Sequence, residues 1–195
     1  QWDYSETLRS EALQPDAEEP IVGYFSGSAS HNRDYQIATE GLRAVLEAYP
    51  HAKLRIAGYL DIPAALKDFS TRIERLPFMD FLGLQRAIAE VTLNLSPIQH
   101  NVFAHSKSEL KYFEAAAAGV PTVASPAPVF TDTLSHGDNG YLADAAQWPE
   151  VLLAALEHPE QRAEVASRAL VHVEDHYTAA AVAPRISKVL GQLGS

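Results

Sequence analysis

The segment KSELKYFE, residues 107–114, concentrates two lysines and two glutamates in eight positions, a composition suited to a charged ligand. Ser106 followed by Glu109 has the spacing of a capping box, so the sequence predicts a helix that begins at Lys107. A cation in the first turn opposes the helix dipole by about 0.3–1 kcal/mol. Lys107 is therefore locally unfavourable unless an anion binds beside it.

Helical spacing places Lys107, Lys111 and Glu114 in one polar stripe. A second, apolar stripe is predicted to face a sheet and consists of Leu110, Phe113 and Ala117. A phosphate at the helix start would meet free backbone N–H groups and Lys107, and Glu114 would accept hydrogen bonds from sugar hydroxyls. The pattern thus suits a nucleoside diphosphate with its ribose. A solvated face with ion pairs, such as Lys111 with Glu114, fits it equally well.

The elements around this segment alternate between short apolar runs and amphipathic stretches. Strands are predicted over 21–26, 53–58, 72–76, 92–96, 121–125 and 141–144. Helices are predicted over 34–49, 64–69, 81–90, 148–157, 159–176 and 178–193. This alternation predicts a Rossmann-like, doubly wound α/β fold with a parallel sheet, helices on both faces and a helical C-terminal extension.

Three regions follow from this pattern. Residues 1–20 are acidic, lack a stable period and are predicted to be a linker or the tail of a preceding domain. Residues 21–177 form the Rossmann-like domain, and residues 178–195 form the C-terminal helix. Because the chain begins with Gln rather than Met, we expect it to be a fragment of a longer protein.

Composition narrows the classes of partner. The 195 residues carry a formal net charge of −10 and contain no cysteine. A nucleic acid or an anionic bilayer would need clustered basic residues, so neither is expected as the main partner. Without cysteine neither a disulfide nor a thiolate metal site can form, which fits a cytoplasmic location.

Two histidines on one predicted C-terminal helix are candidate ligands for a metal ion. His172 and His176 stand at i and i+4, a spacing that could bring both imidazoles to one ion. The pair does not belong to an HExxH motif and no third ligand is evident, so an exposed helix face is the favoured interpretation. No metal is expected.

The stretch SELKYFEAAAAGVPTVASP, with NLSPIQHNVF before it and HGDNGYL after it, resembles the C-terminal, donor-binding half of GT-B glycosyltransferases. The similarity is to the large retaining family 4, or group 1, and runs over about residues 21–177. It implies transfer of a sugar from a nucleoside-diphosphate sugar to an acceptor hydroxyl, with retention of configuration. By position in the family motif, Glu114 would bind the ribose hydroxyls.

The sequence also departs from the family pattern. Ser106 occupies the position of a second family glutamate that contacts the donor sugar, and Ser-Lys-Ser-Glu replaces a glycine-rich segment. Lys107 and Glu109 remain as substitutes and are the candidate catalytic residues. This variant is most similar to a bacterial, rhamnosyltransferase-like subgroup and to enzymes that make cell-surface polysaccharides.

In the family, the loop after the first strand approaches the phosphates. Here that loop offers Gly27 and Ser28 for close backbone approach and His31 or Arg33 as donors. An ordinary strand-to-helix connection fits the same residues. The complete donor-binding set predicted from sequence is Gly27, Ser28, His31, Arg33, Asn101, Ser106, Ser108, Leu110 and Glu114.

The resemblance also implies partners. We expect a nucleotide sugar as donor substrate, no resident cofactor, and an acceptor-binding N-terminal domain that lies before residue 1. Such a full-length enzyme could associate peripherally with a membrane, and this chain alone would be inactive. The alternative function is a non-catalytic α/β module that binds a nucleotide or a protein partner.

Overall fold

The computed structural model describes residues 2–11, 18–26, 32–58, 60–99 and 107–193. Its parallel strands form one sheet in the order β3-β2-β1-β4-β5-β6. The strands are β1 (Ile21–Phe25), β2 (Lys53–Ala57), β3 (Ile73–Leu76), β4 (Leu93–Ser96), β5 (Thr122–Ala124) and β6 (Tyr141–Leu142). This is the Rossmann strand order, so the predicted fold class is confirmed, and its topological switch point lies between β1 and β4.

The described helices cover both faces of the sheet. They are α1 (Trp2–Glu11), α2 (Asn32–Ile37), α3 (Thr39–Ala48), a 3-10 helix (Ala64–Arg72), α4 (Phe81–Ala89), α5 (Leu110–Ala117), α6 (Pro128–Thr131), α7 (Trp148–Glu157), α8 (Pro159–Tyr177) and α9 (Ala179–Leu193). Helices α3 and α7 share one buried cluster, while α4, α5 and α8 contribute to clusters on the opposite face. None of the helices in these described ranges is long and apolar enough to cross a membrane.

Side-chain alternation along β1 explains how one strand serves both layers. Val22 and Tyr24 belong to the cluster that includes α3 and α7, whereas Phe25 belongs to the cluster that includes α4 and α5. Successive Cβ atoms of a strand point to opposite faces, so a central parallel strand buries nearly every residue. The ends of β1 and its neighbours are thereby fixed between two packed layers.

Helix α5 differs from its predicted form. It begins at Leu110, with Glu109 as an N-cap whose side chain makes no capping hydrogen bond, so the predicted start at Lys107 is wrong. Lys107 lies in the irregular segment before the helix and forms an ion pair with Asp34. The side chain of Lys107 is thus paired with a carboxylate from another helix and takes no part in α5.

The predicted apolar stripe of α5 is wrong for Leu110. Its exposed fraction is 44%, whereas Tyr112, Ala115 and Ala116 are almost completely buried. Tyr112 and Ala116 pack in the cluster that contains residues of α8. The first turn of α5 extends beyond the packed layers, so Leu110 borders a cavity rather than the sheet.

Other predicted elements are present with shifted bounds. The amphipathic stretch over 34–49 forms two helices, because Ala38 (φ −85°, ψ −3°) separates α2 from α3. The stretch predicted over 64–69 is a 3-10 helix that continues to Arg72. The guanidinium of Arg72 donates to carbonyl oxygens at the end of α3, which ties this helix to its neighbour.

The beginning of the chain contains regular structure that the sequence pattern did not predict. Residues 2–11 form α1, and its Tyr4 and Leu8 pack in the cluster that includes α4 and α5. Arg9 also donates a hydrogen bond to the carbonyl oxygen of Ala117. Contacts with α4 and α5 stabilise a short helix that has little amphipathic signal of its own.

Candidate functional site

A cavity of about 510 Å³ opens at the carboxyl ends of four parallel strands. Ser26 follows β1, Gly58 follows β2, Pro77 follows β3, and Ser96 ends β4, and all four line the cavity. In an open parallel sheet, ligands bind beyond the carboxyl ends of the strands at the switch point. The size lies within the range of about 300–1,000 Å³ typical of ligand pockets.

Gly58 has a backbone conformation that shapes one wall of the cavity. Its φ angle is +94°, and a Cβ atom at this position would lie 2.0 Å from the carbonyl oxygen of Ser26. A non-glycine residue could not occupy this space without movement of the backbone. The ends of β1 and β2 therefore approach each other closely where they border the cavity.

The first cation that lines the cavity is Lys107, three residues before the start of α5. Its ammonium donates to the carboxylate Oδ2 of Asp34, and the side chains of Lys107 and Asp34 are 29% and 8% exposed. The other oxygen of Asp34 accepts the backbone N–H of Gln99 at 3.0 Å. Lys107 is thus held at the cavity by a residue from the helix that follows β1.

A second cation, Lys111, lines the same cavity one turn further along the chain. Its Nζ lies 4.2 Å from the centroid of the Tyr24 ring, a cation–π contact. Burial, aided by the positive charge of Lys107, lowers the pKa of Lys111 to about 8, against the opposing influence of Asp34 and Glu114. A site that disfavours an unpaired ammonium in this way would favour a bound anion.

Glu114 also lines the cavity, about one turn beyond Lys111 on α5. Burial raises the pKa of its carboxyl group, and the positive charge of Lys111 acts in the opposite direction. Asn94 of β4 borders the same space, and its amide donates to the carbonyl oxygen of Lys111 at 3.2 Å. This hydrogen bond ties the first turn of α5 to the central sheet. It thereby helps to fix the positions of Lys111 and Glu114 at the cavity.

The opening of the cavity is apolar. Phe78, Phe81 and Leu110 line it, with exposed fractions of 70%, 36% and 44%. These side chains come from the segment after β3 and from the starts of α4 and α5. The cavity therefore combines a charged interior wall with a rim that could contact a flat or apolar part of a ligand.

The structure brings together part of the predicted site. Lys107, Ser108, Leu110 and Glu114 all line the cavity. Arg33 is exposed in the first turn of α2 and does not line it. The remaining predicted donor-binding residues lie outside the described residues: Gly27, Ser28, His31, Asn101 and Ser106.

The second candidate catalytic residue, Glu109, is placed differently from Lys107. It stands at the N-cap position of α5, where its side chain makes no capping hydrogen bond, and it is not among the residues that line the cavity. Its side chain faces Tyr177 at the end of α8, whose pKa is raised by burial and further by a hydrogen bond with Glu109. A catalytic role for Glu109 stays a prediction from the sequence.

The two histidines of α8 contact each other, and His172 also contacts Tyr112 of α5. His172 Nδ1 lies 3.0 Å from the hydroxyl oxygen of Tyr112, and His176 Nδ1 lies 2.8 Å from the carbonyl oxygen of His172. The two imidazole rings stack with centroids 4.5 Å apart. In the part of the chain that the structure describes, no group of three or more metal-ligating side chains could hold an ion.

The predicted site leaves out three residues that shape the cavity: Asp34, Asn94 and Lys111, which the sequence placed in the polar stripe without a ligand-binding role. Lys111 carried a usable signal, because it follows Lys107 by four residues and a second cation near a helix start again opposes the dipole. Asp34 and Asn94 carried none. Their importance comes from contacts with residues 73 and 17 positions away.

The strand order, the cavity at the switch point and its charged lining define a Rossmann-like domain built to bind a ligand. A sequence model of the family described as glycosyl transferase-like matches residues 34–188. The chain therefore belongs to this glycosyl transferase-like family. No curated protein gives a significant sequence match to it.

Solved structures agree with this assignment at the level of the fold. A mutant of TarM from S. aureus, in complex with fondaparinux, alpha-GlcNAc-glycerol and UDP, is similar with a TM-score of 0.73 and 18% identity, covering 95% of this chain and 37% of TarM. Anabaena HepE in complex with UDP and glucose is similar with a TM-score of 0.70 and 17% identity, covering 97% of this chain and 52% of HepE.

A third relative corresponds to the same portion of a longer protein. The C-terminal domain of LpcC, a glycosyl transferase group 1 family protein from Francisella tularensis, gives a TM-score of 0.61 and 14% identity. The alignment covers 91% of this chain and 93% of that domain. This chain thus spans about half the length of HepE and less than half the length of TarM. It has the fold of a GT-B C-terminal domain.

Proposed function

We propose that this chain binds a nucleoside-diphosphate sugar and forms the donor half of a glycosyltransferase. The observation that carries the proposal is the 510 Å³ cavity at the switch point, with Lys107, Lys111 and Glu114 in its wall. Family membership and the UDP bound to TarM and HepE support the choice of ligand. The charge pattern supports it independently, because two cations and one carboxylate suit a diphosphate and a ribose.

In the proposed complex the diphosphate lies at the start of α5. Backbone N–H groups in the first turn of a helix have no partner within the helix, and its dipole favours an anion. Lys107 and Lys111 add two ammonium groups at the same place. Glu114 then accepts hydrogen bonds from the ribose hydroxyls, and the base contacts the apolar rim of the cavity.

The proposed reaction breaks the bond between the anomeric carbon and the diphosphate oxygen. The diphosphate leaves with the bonding electron pair, the acceptor hydroxyl oxygen forms the new bond to the sugar, and the hydroxyl proton passes to the departing diphosphate oxygen. Negative charge grows on the leaving oxygen in the transition state, so fixed positive groups beside it lower the barrier. Lys107 and Lys111 supply these groups, and the proposal includes no resident cofactor.

The acceptor is proposed to bind to a separate N-terminal domain of the full-length protein. A cell-surface glycan is the favoured class of acceptor, because WaaG, a glycosyltransferase with a similar fold, is involved in lipopolysaccharide biosynthesis. Such acceptors would bring the full-length enzyme to a membrane surface. The isolated chain is expected to bind donor weakly and to transfer little or no sugar, because the acceptor side of the cleft would be missing.

Calorimetric titration of the chain with UDP, GDP and dTDP tests the proposal. We expect one of them to bind, and both Lys107→Ala and Glu114→Ala to weaken binding at least about tenfold. The matched controls, Lys67→Ala and Glu164→Ala, remove an exposed lysine and an exposed glutamate away from the cavity. Absence of binding by all three nucleotides, or equal loss in the control variants, would overturn the proposal.

A further inference from the structure

Asp34 is a buried carboxylate that joins three segments around the cavity. It lies in the first turn of α2, and its Oδ1 atom accepts the backbone N–H of Gln99, which follows β4, at 3.0 Å. Its Oδ2 atom accepts the ammonium of Lys107, which precedes α5. The chain separations in these two contacts are 65 and 73 residues. One side chain therefore connects the segments that follow β1 and β4, the two strands flanking the switch point, with the segment leading into α5.

The geometry leaves Lys107 able to bind a ligand while it remains paired. An ammonium group carries three N–H donors, and Asp34 accepts one of them. Lys107 lines the cavity and its side chain is 29% exposed, whereas that of Asp34 is only 8% exposed. The carboxylate thus holds the ammonium from behind, and the remaining donors can reach a phosphate oxygen.

The ion pair of Asp34 and Lys107 lies among other charged groups of the cavity, so its position affects how an anion would bind. Lys111 stands beside Lys107, and the positive charge of Lys107 disfavours the protonated form of Lys111 while Asp34 and Glu114 favour it. Two ammonium groups near one anion bind it well only if their mutual repulsion is offset. Asp34 offsets part of this repulsion and also fixes the direction of the Lys107 side chain.

We propose that Asp34 is a positioning residue, which holds the ammonium of Lys107 at the cavity wall so that it can bind the diphosphate of the donor. This inference rests on the proposed function. A positioning role and a purely electrostatic role predict changes in nucleotide affinity of opposite sign when the charge of Asp34 is removed. If Asp34 merely repelled the anion or competed with it for Lys107, removal of its charge would strengthen nucleotide binding.

The variant Asp34→Asn separates these two roles. A carboxylate offers two acceptor oxygens, and both are used, whereas the amide offers one acceptor oxygen and an NH2 group that only donates. The amide of this variant can therefore satisfy Gln99 or Lys107 but not both, and Lys107 loses its fixed position. The probe is whichever of UDP, GDP or dTDP binds best, compared with the corresponding nucleoside.

We expect Asp34→Asn to weaken binding of the nucleoside diphosphate about tenfold and to change nucleoside binding less than about twofold. General damage to the fold would weaken both ligands equally. In the Lys107→Met background the same substitution should cause no further weakening of diphosphate binding, because the group that Asp34 positions is already gone. The matched control is Asp138→Asn, which removes the same charge from an exposed ion pair with Arg168.

If Asp34→Asn fails to fold, Asp34→Glu provides the second test. It keeps the charge but moves the carboxylate by one methylene, and it should weaken diphosphate binding with little effect on the nucleoside. Tighter or unchanged diphosphate binding in the folded variants would overturn the inference while the proposed function stands. If none of the three diphosphates binds the unmodified chain, the proposed function fails, and this inference fails with it.

Discussion

The ammonium of Lys111 lies 4.2 Å from the centroid of the Tyr24 ring, at the wall of the cavity between β1 and α5. The aromatic face offsets part of the cost of burying the charge but does not satisfy the N–H donors of the ammonium. Burial and the neighbouring Lys107 together lower the pKa of Lys111 to about 8. This residue thus links the electrostatics of the cavity to both ligand binding and stability.

Nucleotide affinity should fall as pH rises through about 8. An anion binds the protonated form of Lys111, and above a pKa of about 8 that form is depleted in the free protein. Titration of the best-binding diphosphate between pH 7 and pH 9.5 checks this, since its terminal phosphate, with a pKa of about 6, stays fully charged there. In Lys111→Met the decline should be flatter, whereas an equally steep decline would assign it to another group.

Replacement of the same lysine should stabilise the unliganded chain. The pKa of Lys111 is lowered from 10.5 to about 8 on folding, so the unfolded state binds more protons between these values and stability rises with pH there. At pH 7 the charged side chain therefore costs stability. We expect Lys111→Met to raise the free energy of unfolding by about 1–3 kcal/mol at pH 7, measured by urea denaturation. A decrease would show that the contact with Tyr24 outweighs the cost of burial.

Glu114 should confer a preference for ribose over deoxyribose. A carboxylate that accepts hydrogen bonds from both ribose hydroxyls loses one of them when the 2′-hydroxyl is absent, at a cost of about 1.5–3 kcal/mol. We expect the unmodified chain to bind UDP roughly tenfold or more tightly than its 2′-deoxy analogue, and Glu114→Ala to bind the two similarly. Competition titrations measure this ratio. A preference that persists in Glu114→Ala would place the ribose elsewhere.

Two glycines with positive φ angles should respond very differently to alanine. At Gly58 a Cβ atom would lie 2.0 Å from the carbonyl oxygen of Ser26, whereas at Gly137, with φ of +75°, it would meet no atom within 4 Å. Gly137→Ala then carries only the backbone strain, about 1–2 kcal/mol. Gly58→Ala adds a backbone clash and should cost about 3 kcal/mol or more. Thermal unfolding of the two variants compares them, and equal losses would contradict the close approach of β1 and β2.

Chelation should leave donor binding unchanged. In the proposed complex the positive charge beside the diphosphate comes from Lys107 and Lys111, which are covalently part of the chain. We expect the affinity for the best-binding diphosphate to differ by less than about twofold between EDTA and Mg²⁺. A much larger gain with Mg²⁺ would assign part of the charge neutralisation to a metal ion.

Much of the fold could be predicted because its signals are local. The apolar run that became β2 and the amphipathic stretch that became α7 both carry their period within a few residues, and α7 has its predicted bounds. Helix α1 and the start of α5 could not be predicted in the same way. Leu8 is buried by α4 and α5, and Lys107 is paired with a carboxylate that is distant in the sequence. Neither contact can be predicted from the neighbouring residues alone.

The sequence by itself determined the alternation of strands and helices, and hence a parallel sheet with the charged residues 107–114 at its carboxyl edge. Hydrophobic period is a property of neighbouring residues, so no tertiary information is needed for that step. Only the tertiary structure decided that Asp34 meets Lys107, that Lys111 lies over Tyr24, and that Glu109 contacts Tyr177 instead of lining the cavity. Such pairings depend on how distant segments pack, because a buried charge takes whichever partner the assembled layers bring within reach.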